Sequence, residues 1–496
     1  MRKFLFLSLV LFSACTESPK PNGEELSKIY CSSCHQYPKS ELLDKATWKD
    51  YILPRMGYMY GIYDSDSTRE SLFENNEGGE LVKARGVFPE NRRLDEKTWK
   101  AIRDYYLNNS PESLEQKTRQ ELKMDLLTNF KLCKPELVLR PPAVTMVKLI
   151  GDKILVGDAN KGALFLINQE LQTINAAMVK EGAVHVEMVE EDYWLTVMGS
   201  FSPGDDPKGM ILKLDVNGKK PAEIPVKDLQ RPVHSSYEDL NQDGMVDIVV
   251  CEFGKWTGAL SLWLSNPKGG YDRMNLSSES GAIKAYIRDM NRDGKKDVVA
   301  LFGQGNEGIR VYFNEGEKYR EEYLLRFPPS YGSSFFNFQD VDQDGDDDIV
   351  YCAGDNADYL PILKPYHGIY LFENNEGNFT QKEFITMDGA YAAYYSDFDS
   401  DNDQDVVAIS FFPDYVNSPE RSFVLFEREE GSFIERSFEG VLDSRWIVMD
   451  VADIENDGDQ DIILGGLTFE TVPDVGLLDR WVEKGLPFVV LENQSR

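Results

Sequence analysis

Asp239-Leu240-Asn241-Gln242-Asp243-Gly244-Met245-Val246-Asp247 runs directly into the apolar stretch Ile248-Val249-Val250. Oxygen-bearing side chains stand at loop positions 1, 3, 5 and 9, and a glycine stands at 6. Alternating oxygens can converge on one hard cation, the glycine permits the sharp turn, and the carbonyl at position 7 (Met245) adds a ligand. The form recurs every fifty-odd residues. The second copy carries Asp289, Asn291, Asp293, Lys295 and Asp297, and the third Asp340, Asp342, Asp344, Asp346 and Asp348. The fourth carries Asp397, Asp399, Asp401, Asp403 and Asp405, and the fifth Asp453, Glu455, Asp457, Asp459 and Asp461. Each copy precedes a short apolar strand, such as Val298-Val299-Ala300 or Ile462-Ile463-Leu464. An EF-hand closes on a glutamate at position 12 between helices. Here an aspartate closes the loop at position 9 and strands flank it, so an EF-hand is excluded. Asn402 replaces the glycine of the fourth loop and can adopt the same left-handed conformation.

A fixed period of this length marks a repeat architecture. The loops, with Phe253-Gly254 and Gly258-Ala259-Leu260, resemble the FG-GAP or VCBS repeats of integrin-like β-propellers from about Arg231 onward. The resemblance implies four-stranded blades and up to five bound calcium ions. Two weaker blades precede the repeats, one from Thr145–Ile150, Lys153–Asp158 and Ala163–Asn168, the other from Val184–Val189, Tyr193–Met198 and Met210–Asp215. Two plain and five metal-loop blades make seven. Cys251 and Cys352 each lie four residues past a closing aspartate, so they occupy equivalent strand positions two blades apart. That puts them beyond disulfide reach and makes them small buried hydrophobes. Gly303-Gln304-Gly305-Asn306-Glu307-Gly308 matches a dinucleotide fingerprint, but the following Ile309–Phe313 is a strand, which predicts a hairpin turn instead.

The final blade offers only three strands: Trp446–Asp450, Asp461–Gly465 and Phe488–Asn493. An open edge is a liability, so a strand must come from elsewhere. Glu136–Arg140 is short, extended in pattern and stopped by Pro141-Pro142. It is expected to pair beside Phe488–Asn493, lock the ring, and fix whatever precedes it next to the first and last blades.

Ahead of the repeats stands Cys31-Ser32-Ser33-Cys34-His35, the attachment signature of c-type haem. Two thiols one turn apart can add to the two vinyl groups, and the adjoining histidine can ligate the iron. No second C-x-x-C exists for zinc, and a redox pair does not need His35. The surroundings read as helical: Glu24–Cys34, then Ala46–Tyr60 interrupted by Pro54, then a helix capped by Asp95 with Trp99, Ile102, Tyr105 and Tyr106 on one side. Terminal helices crossing beside a haem resemble the small class of c-type cytochromes. His185, His234 and His367 lie far downstream, so Met56 or Met59 is the candidate sixth ligand, alternatives that spacing leaves open.

The chain begins Met1-Arg2-Lys3, an apolar run from Phe4 to Leu11, and Phe12-Ser13-Ala14-Cys15. This reads as a secretory signal and resembles a bacterial lipoprotein signal, with Cys15 lipidated. The expected division is signal 1–14, tether 15–23, cytochrome-like domain 24–113, linker helix 114–134 (Leu122, Leu126 and Phe130 on one face) and seven-bladed propeller 135–496. Lys and Arg number 53 against 85 Asp and Glu, a net charge of −32. That argues against nucleic acid as a partner.

The whole reads as an outer-membrane lipoprotein of a bacterial envelope, anchored through Cys15, periplasmic or surface-exposed. It would pass electrons to a redox partner protein, alone or within an outer-membrane complex, using the propeller as a docking platform. Two further readings stand beside it. One is a haem-coupled oxidoreductase with a substrate site at the channel mouth, where the inner strands begin near His185, His234, Lys284 and Arg445. The other is an adhesion or complex-assembly lipoprotein. Electron transfer is favoured over a self-contained enzyme.

Overall fold

The computed structural model describes residues 21–115, 124–180, 182–355, 362–469 and 475–495. The expected signal segment and Cys15 lie outside them. Seven antiparallel sheets follow one another around a ring. Blade 1 is Val144–Ile150, Lys153–Asp158, Ala163–Ile167 and Thr173–Met178. Blade 2 is Ala183–Val189, Asp192–Val197, Gly209–Asp215 and Glu223–Leu229. Blade 3 is Pro232–Glu238, Asp247–Glu252, Ala259–Ser265 and Tyr271–Ser277, and blade 4 is Ala282–Arg288, Asp297–Phe302, Gly308–Asn314 and Tyr319–Arg326. Blade 5 is Ser333–Gln339, Asp348–Ala353, Gly368–Asn375 and Asn378–Thr386. Blade 6 is Ala390–Ser396, Asp405–Ser410, Phe423–Glu429 and Ser432–Ser437. Blade 7 takes Trp446–Ala452, Asp461–Gly466 and Phe488–Asn493 from the end of the chain.

The second strands are apolar on both faces because a neighbouring blade covers each. Ile248, Val249, Val250, Val298, Val299, Ile349 and Val350 are wholly buried. Cys251 and Cys352 are buried free thiols in these strands, and burial pushes both upward in pKa. Gly303–Gly308 is the turn between two strands of blade 4, as its flanking residues require. Gly254 has a φ of +59°, and a Cβ there would lie 1.5 Å from the carbonyl oxygen of Thr257. The name-giving glycine of this repeat is therefore fixed by the loop it closes.

Strand direction sorts the connections onto two ends of the ring. The turns between first and second strands, which carry all five acidic loops, lie at one end. The turns between second and third strands, and the links between blades, lie at the other. The inner strand of every blade carries an irregularity at the same register: between Ala183 and His185, between Pro232 and His234, and between Ala282 and Lys284 in blades 2 to 4.

The ring is closed by the N-terminal side of the chain, but not by the segment expected. Phe130–Cys133 supplies the fourth strand of blade 7, with Phe130 opposite Asn493 and Cys133 opposite Val490. Phe130 and Leu132 pack on the core between blades 6 and 7, and Lys131 pairs with Glu492 at 2.8 Å. Glu136–Arg140 instead forms the passage from this outer strand to the inner strand of blade 1, with Leu139 N–H donating to the Gly485 carbonyl at 2.9 Å. The helix expected over 114–134 is also corrected. Residues 116–123 lie outside the described residues, and beyond them Asp125–Leu126 pairs in parallel with Arg436–Ser437 at the edge of blade 6.

The helical module begins with Gly23–Cys31, capped by Asn22 and Glu25 in a capping box. It is shorter than the expected helix to Cys34. The segment Lys45–Met59 stays helical through a π turn at Trp48–Ile52, which absorbs the interruption due to Pro54. Asp95 caps Glu96–Asn109 as its sequence predicts, its carboxylate accepting from Thr98 N–H at 3.0 Å. Two short helices not foreseen, Asp66–Glu70 and Glu77–Ala84, complete the module. A Cβ on Gly23 would lie 2.4 Å from the Ala101 carbonyl oxygen, so the first and last helices cross in contact there.

The module does not sit by the first and last blades. It lies on blades 2 to 5, at the end of the ring opposite the acidic loops. Arg85 donates to the carbonyls of Gly258 and Ser278, both at 3.0 Å. The Phe88 and Trp256 rings meet edge to face at 5.0 Å, and Tyr366 donates to the Leu42 carbonyl at 2.9 Å. The seat is prepared from blade 2, where buried Asp205 accepts the backbone N–H groups of Lys255, Trp256 and Thr257.

Candidate metal loops, the C-x-x-C-H segment and the channel cluster

All five acidic loops share one backbone. Position 4 is left-handed in each (Gln242, Arg292, Gln343, Ser400, Asn456), and so is position 6 (Gly244, Gly294, Gly345, Asn402, Gly458). Asn402, at φ +73°, takes the glycine's conformation as expected. The closing aspartates Asp247, Asp297, Asp348, Asp405 and Asp461 are buried. Each accepts two backbone N–H groups, one from its own loop and one from the end of the third strand. For Asp247 these are Leu240 at 2.9 Å and Ser265 at 2.8 Å. For Asp461 they are Ile454 and Asn493, both at 2.8 Å. The closing residue thus braces the loop as well as facing its centre. Burial raises Asp405 and Asp461 to about 7.

The carboxylates of Asp340, Asp342 and Asp344, and those of Asp397, Asp399 and Asp405, each lie within 4.8 Å of one another. Such groups could hold a divalent cation. At position 7 the loops divide. Met245 and Lys295 offer only a carbonyl, whereas Asp346, Asp403 and Asp459 each bring a carboxylate. Asp346 Oδ1, Asp403 Oδ1 and both oxygens of Asp459 are buried without a hydrogen-bond partner. A buried, unpaired carboxylate oxygen is costly unless a cation meets it.

In the helical module, Cys31 and Cys34 are free thiols at the C-terminal end of the first helix. Burial raises Cys31 to about 11, while Cys34 is exposed. His35 is buried, and its Nδ1 lies 2.9 Å from the carbonyl of Gln36. That bond fixes the tautomer and leaves Nε2 with its lone pair. Met56 packs in the cluster that contains Cys31, Tyr30, Trp48 and Tyr106. Met59 packs in a separate one with Phe73, Phe88 and Trp256.

At the propeller axis, three of the four expected channel residues come together. The rings of His185 and His234 lie with centroids 4.0 Å apart and planes tilted by 33°. The Nδ1 atoms of both are buried and have no partner. Lys284 stands over Phe335 at 4.5 Å and over Tyr286 at 4.9 Å. Burial, then the charge of Lys284, lowers His185 to about 3. Burial, then the charge of Lys148, lowers Lys284 to about 7. Arg445 is elsewhere: it precedes the inner strand of blade 7 and is buried over Phe411 at 3.6 Å, with Nε donating to Tyr415 at 3.1 Å. Glu187, Lys148 and Asp450 belong to the same channel and were not foreseen. Each lies two residues beyond an inner-strand channel position, and the period of two along a strand is the signal that finds them. Lys148 pairs with Asp450 at 2.7 Å.

A family model described as an FG-GAP-like repeat matches residues 239–300 and 289–351, from the first acidic loop of blade 3 through blade 4 into the second strand of blade 5. The chain thus carries FG-GAP-like repeats within a seven-bladed propeller. The comparison with curated proteins gives no match. Among solved structures, a virginiamycin B lyase from Staphylococcus aureus is similar at 12% identity and a TM-score of 0.47, over 73% of this chain and 99% of that one. The N-terminal domain of Nup159 is similar at 8% identity and a TM-score of 0.42, over 76% and 99%.

Proposed function

We propose that this chain is a lipid-anchored electron-transfer protein of the bacterial envelope, with a haem-bearing module seated on a calcium-stabilised propeller. The observation that carries the reading is Cys31-Ser32-Ser33-Cys34-His35 at a helix end, with His35 buried and its Nδ1 engaged by a backbone carbonyl. Metal-ligating histidines commonly hold their second nitrogen in this way. Cys31 and Cys34 would attach the haem and His35 would ligate its iron. Met56, sharing a cluster with Cys31, is favoured over Met59 as the second axial ligand. The haem, when bound, supplies a one-electron redox centre. The chain half-buries the Cys31 thiol and orients the His35 imidazole through its bond to the Gln36 carbonyl. The acidic loops would hold calcium, a reading supported by the orphaned oxygens of Asp346, Asp403 and Asp459. Lipidation at Cys15 would tether the module to the membrane.

The test is expression with a c-type haem maturation system, followed by denaturing electrophoresis and mass spectrometry. One covalent haem per chain is expected, lost in Cys31→Ala/Cys34→Ala. Met56→Ala should change the absorption spectrum of the oxidised protein, and Met59→Ala should not. A wild-type chain without covalent haem would refute the reading.

A second reading, a haem-coupled oxidoreductase, is favoured by one observation. His185, His234 and Lys284 meet near the end of the channel on which the module sits.

A further inference from the structure

We propose that the mouth of the central channel binds a small organic anion with an apolar body, a carboxylate carried on a ring or short aliphatic chain. The argument begins with the inner-strand position that follows the irregularity in each blade. Around the ring it is occupied by Met146, His185, His234, Lys284, Phe335, Ala392 and Val448. Three successive blades contribute nitrogen donors. The four that complete the circle contribute no charge and no hydrogen-bonding side chain. One arc of the mouth can therefore hold a carboxylate, and the opposite arc can hold a hydrocarbon.

The donors are largely unsatisfied; among the described residues the one carboxylate beside them is Glu187, 3.8 Å from His185 Nε2. No carboxylate lies within ion-pair distance of Lys284 among the described residues, and its ammonium rests on two aromatic rings. Both Nδ1 atoms of the two imidazoles lack partners. Leaving such groups buried and unpaired is unfavourable, and an anion between them would satisfy several at once.

The tier two residues further along the strands behaves differently. There Lys148 pairs with Asp450 at 2.7 Å and Tyr286 donates to Asn337 at 2.6 Å. Ser236 donates to the Ala285 carbonyl at 2.8 Å. This tier has largely internal partners and forms a floor, whereas the tier above it does not. A cation is the wrong guest. Lys284 would repel it, and among the described residues the carboxylate groups close enough to share an ion lie in the acidic loops at the other end.

The site stands whether or not a haem is attached, and its test reads it separately. Benzoate titrated into the full chain by calorimetry is expected to bind saturably, once per chain. Lys284→Met should weaken binding tenfold or more. Acetate, which lacks the ring, should bind at least tenfold more weakly than benzoate. The chain has four histidines, so labelled imidazole resonances can be followed in the wild type even where the variant fails to fold. Those of His185 and His234 should move on adding benzoate. Benzoate binding that is not saturable, that survives Lys284→Met unchanged, that acetate equals, or that leaves these resonances in place would overturn the proposal.

Discussion

Lys284 is half-buried in the channel beside Lys148, and both facts disfavour its charged form. Its value of about 7 lies below the ordinary 10.5. Between those values the unfolded chain holds the proton and the native chain does not, so stability rises with pH across that window. The penalty is complete below about 7 and absent above the ordinary lysine value. Lys284→Met removes it. The variant should therefore melt above the wild type at about pH 6, by roughly 2 °C for about 1 kcal/mol. The gap should close towards about pH 10. Lys148, Asp450, Glu187, His185, His234, Tyr286 and Tyr394 face the same space but are common to both proteins. Paired thermal melts across this range check the prediction, and a gap independent of pH would contradict it. The sequence makes Lys284, His185 and His234 visible because each sits just past the start of an inner strand. Arg445 misleads for a register reason. It precedes Trp446, which aligns with Ala183, Pro232 and Ala282, so it stands before the strand rather than in it.

At the scale of elements, the acidic loops are legible because their turn demands particular residues at particular places. Left-handed backbone at position 6 takes glycine or asparagine, and the converging oxygens take Asp, Asn or Glu. The left-handed residue at position 4 is not legible, since glutamine, arginine, serine and asparagine all occupy it. Chelation should expose the cost of emptying the loops, because carboxylates left facing one another repel. Excess EDTA is expected to lower the melting temperature by several degrees and added calcium to restore it, the shift following occupancy. Asp403→Ala should reduce the bound calcium found by elemental analysis, whereas Met245→Ala, which keeps its carbonyl, should not. A melt indifferent to EDTA would remove the role for metal. The closing strand shows the opposite limit. Phe130-Lys131-Leu132-Cys133 is only four residues long, and Leu122, Leu126 and Phe130 recur at helical spacing, so local pattern points to helix. What makes it a strand is a partner, and Lys131 and Glu492 stand 361 residues apart.

For the whole molecule, the seam in blade 7 governs integrity, since no disulfide among the described residues joins the ends. Lys131→Pro removes the backbone donor that faces Glu492 in the ladder and fixes the backbone in a strand whose Phe130 and Leu132 pack on the core. It should lower the melting temperature by several degrees and admit protease on both sides of the seam, measured by limited digestion. Digestion no faster than wild type would show that the ring does not depend on this strand. The position of the helical module was legible only up to its own boundaries. Its seat on blades 2 to 5 depends on Trp256, Gly258, Ser278 and Tyr366, which are loop residues without periodicity to announce them.

The same seam sets an order on biosynthesis. Lys131 leaves the ribosome 361 residues before its partner Glu492. Until that partner is made, Phe130–Cys133 has no mate in blade 7, and blades 1 to 6 form an open arc. Ring closure therefore waits for Phe488–Asn493 and follows the synthesis of the other six blades. The ring acquires its locked shape only once that strand has followed.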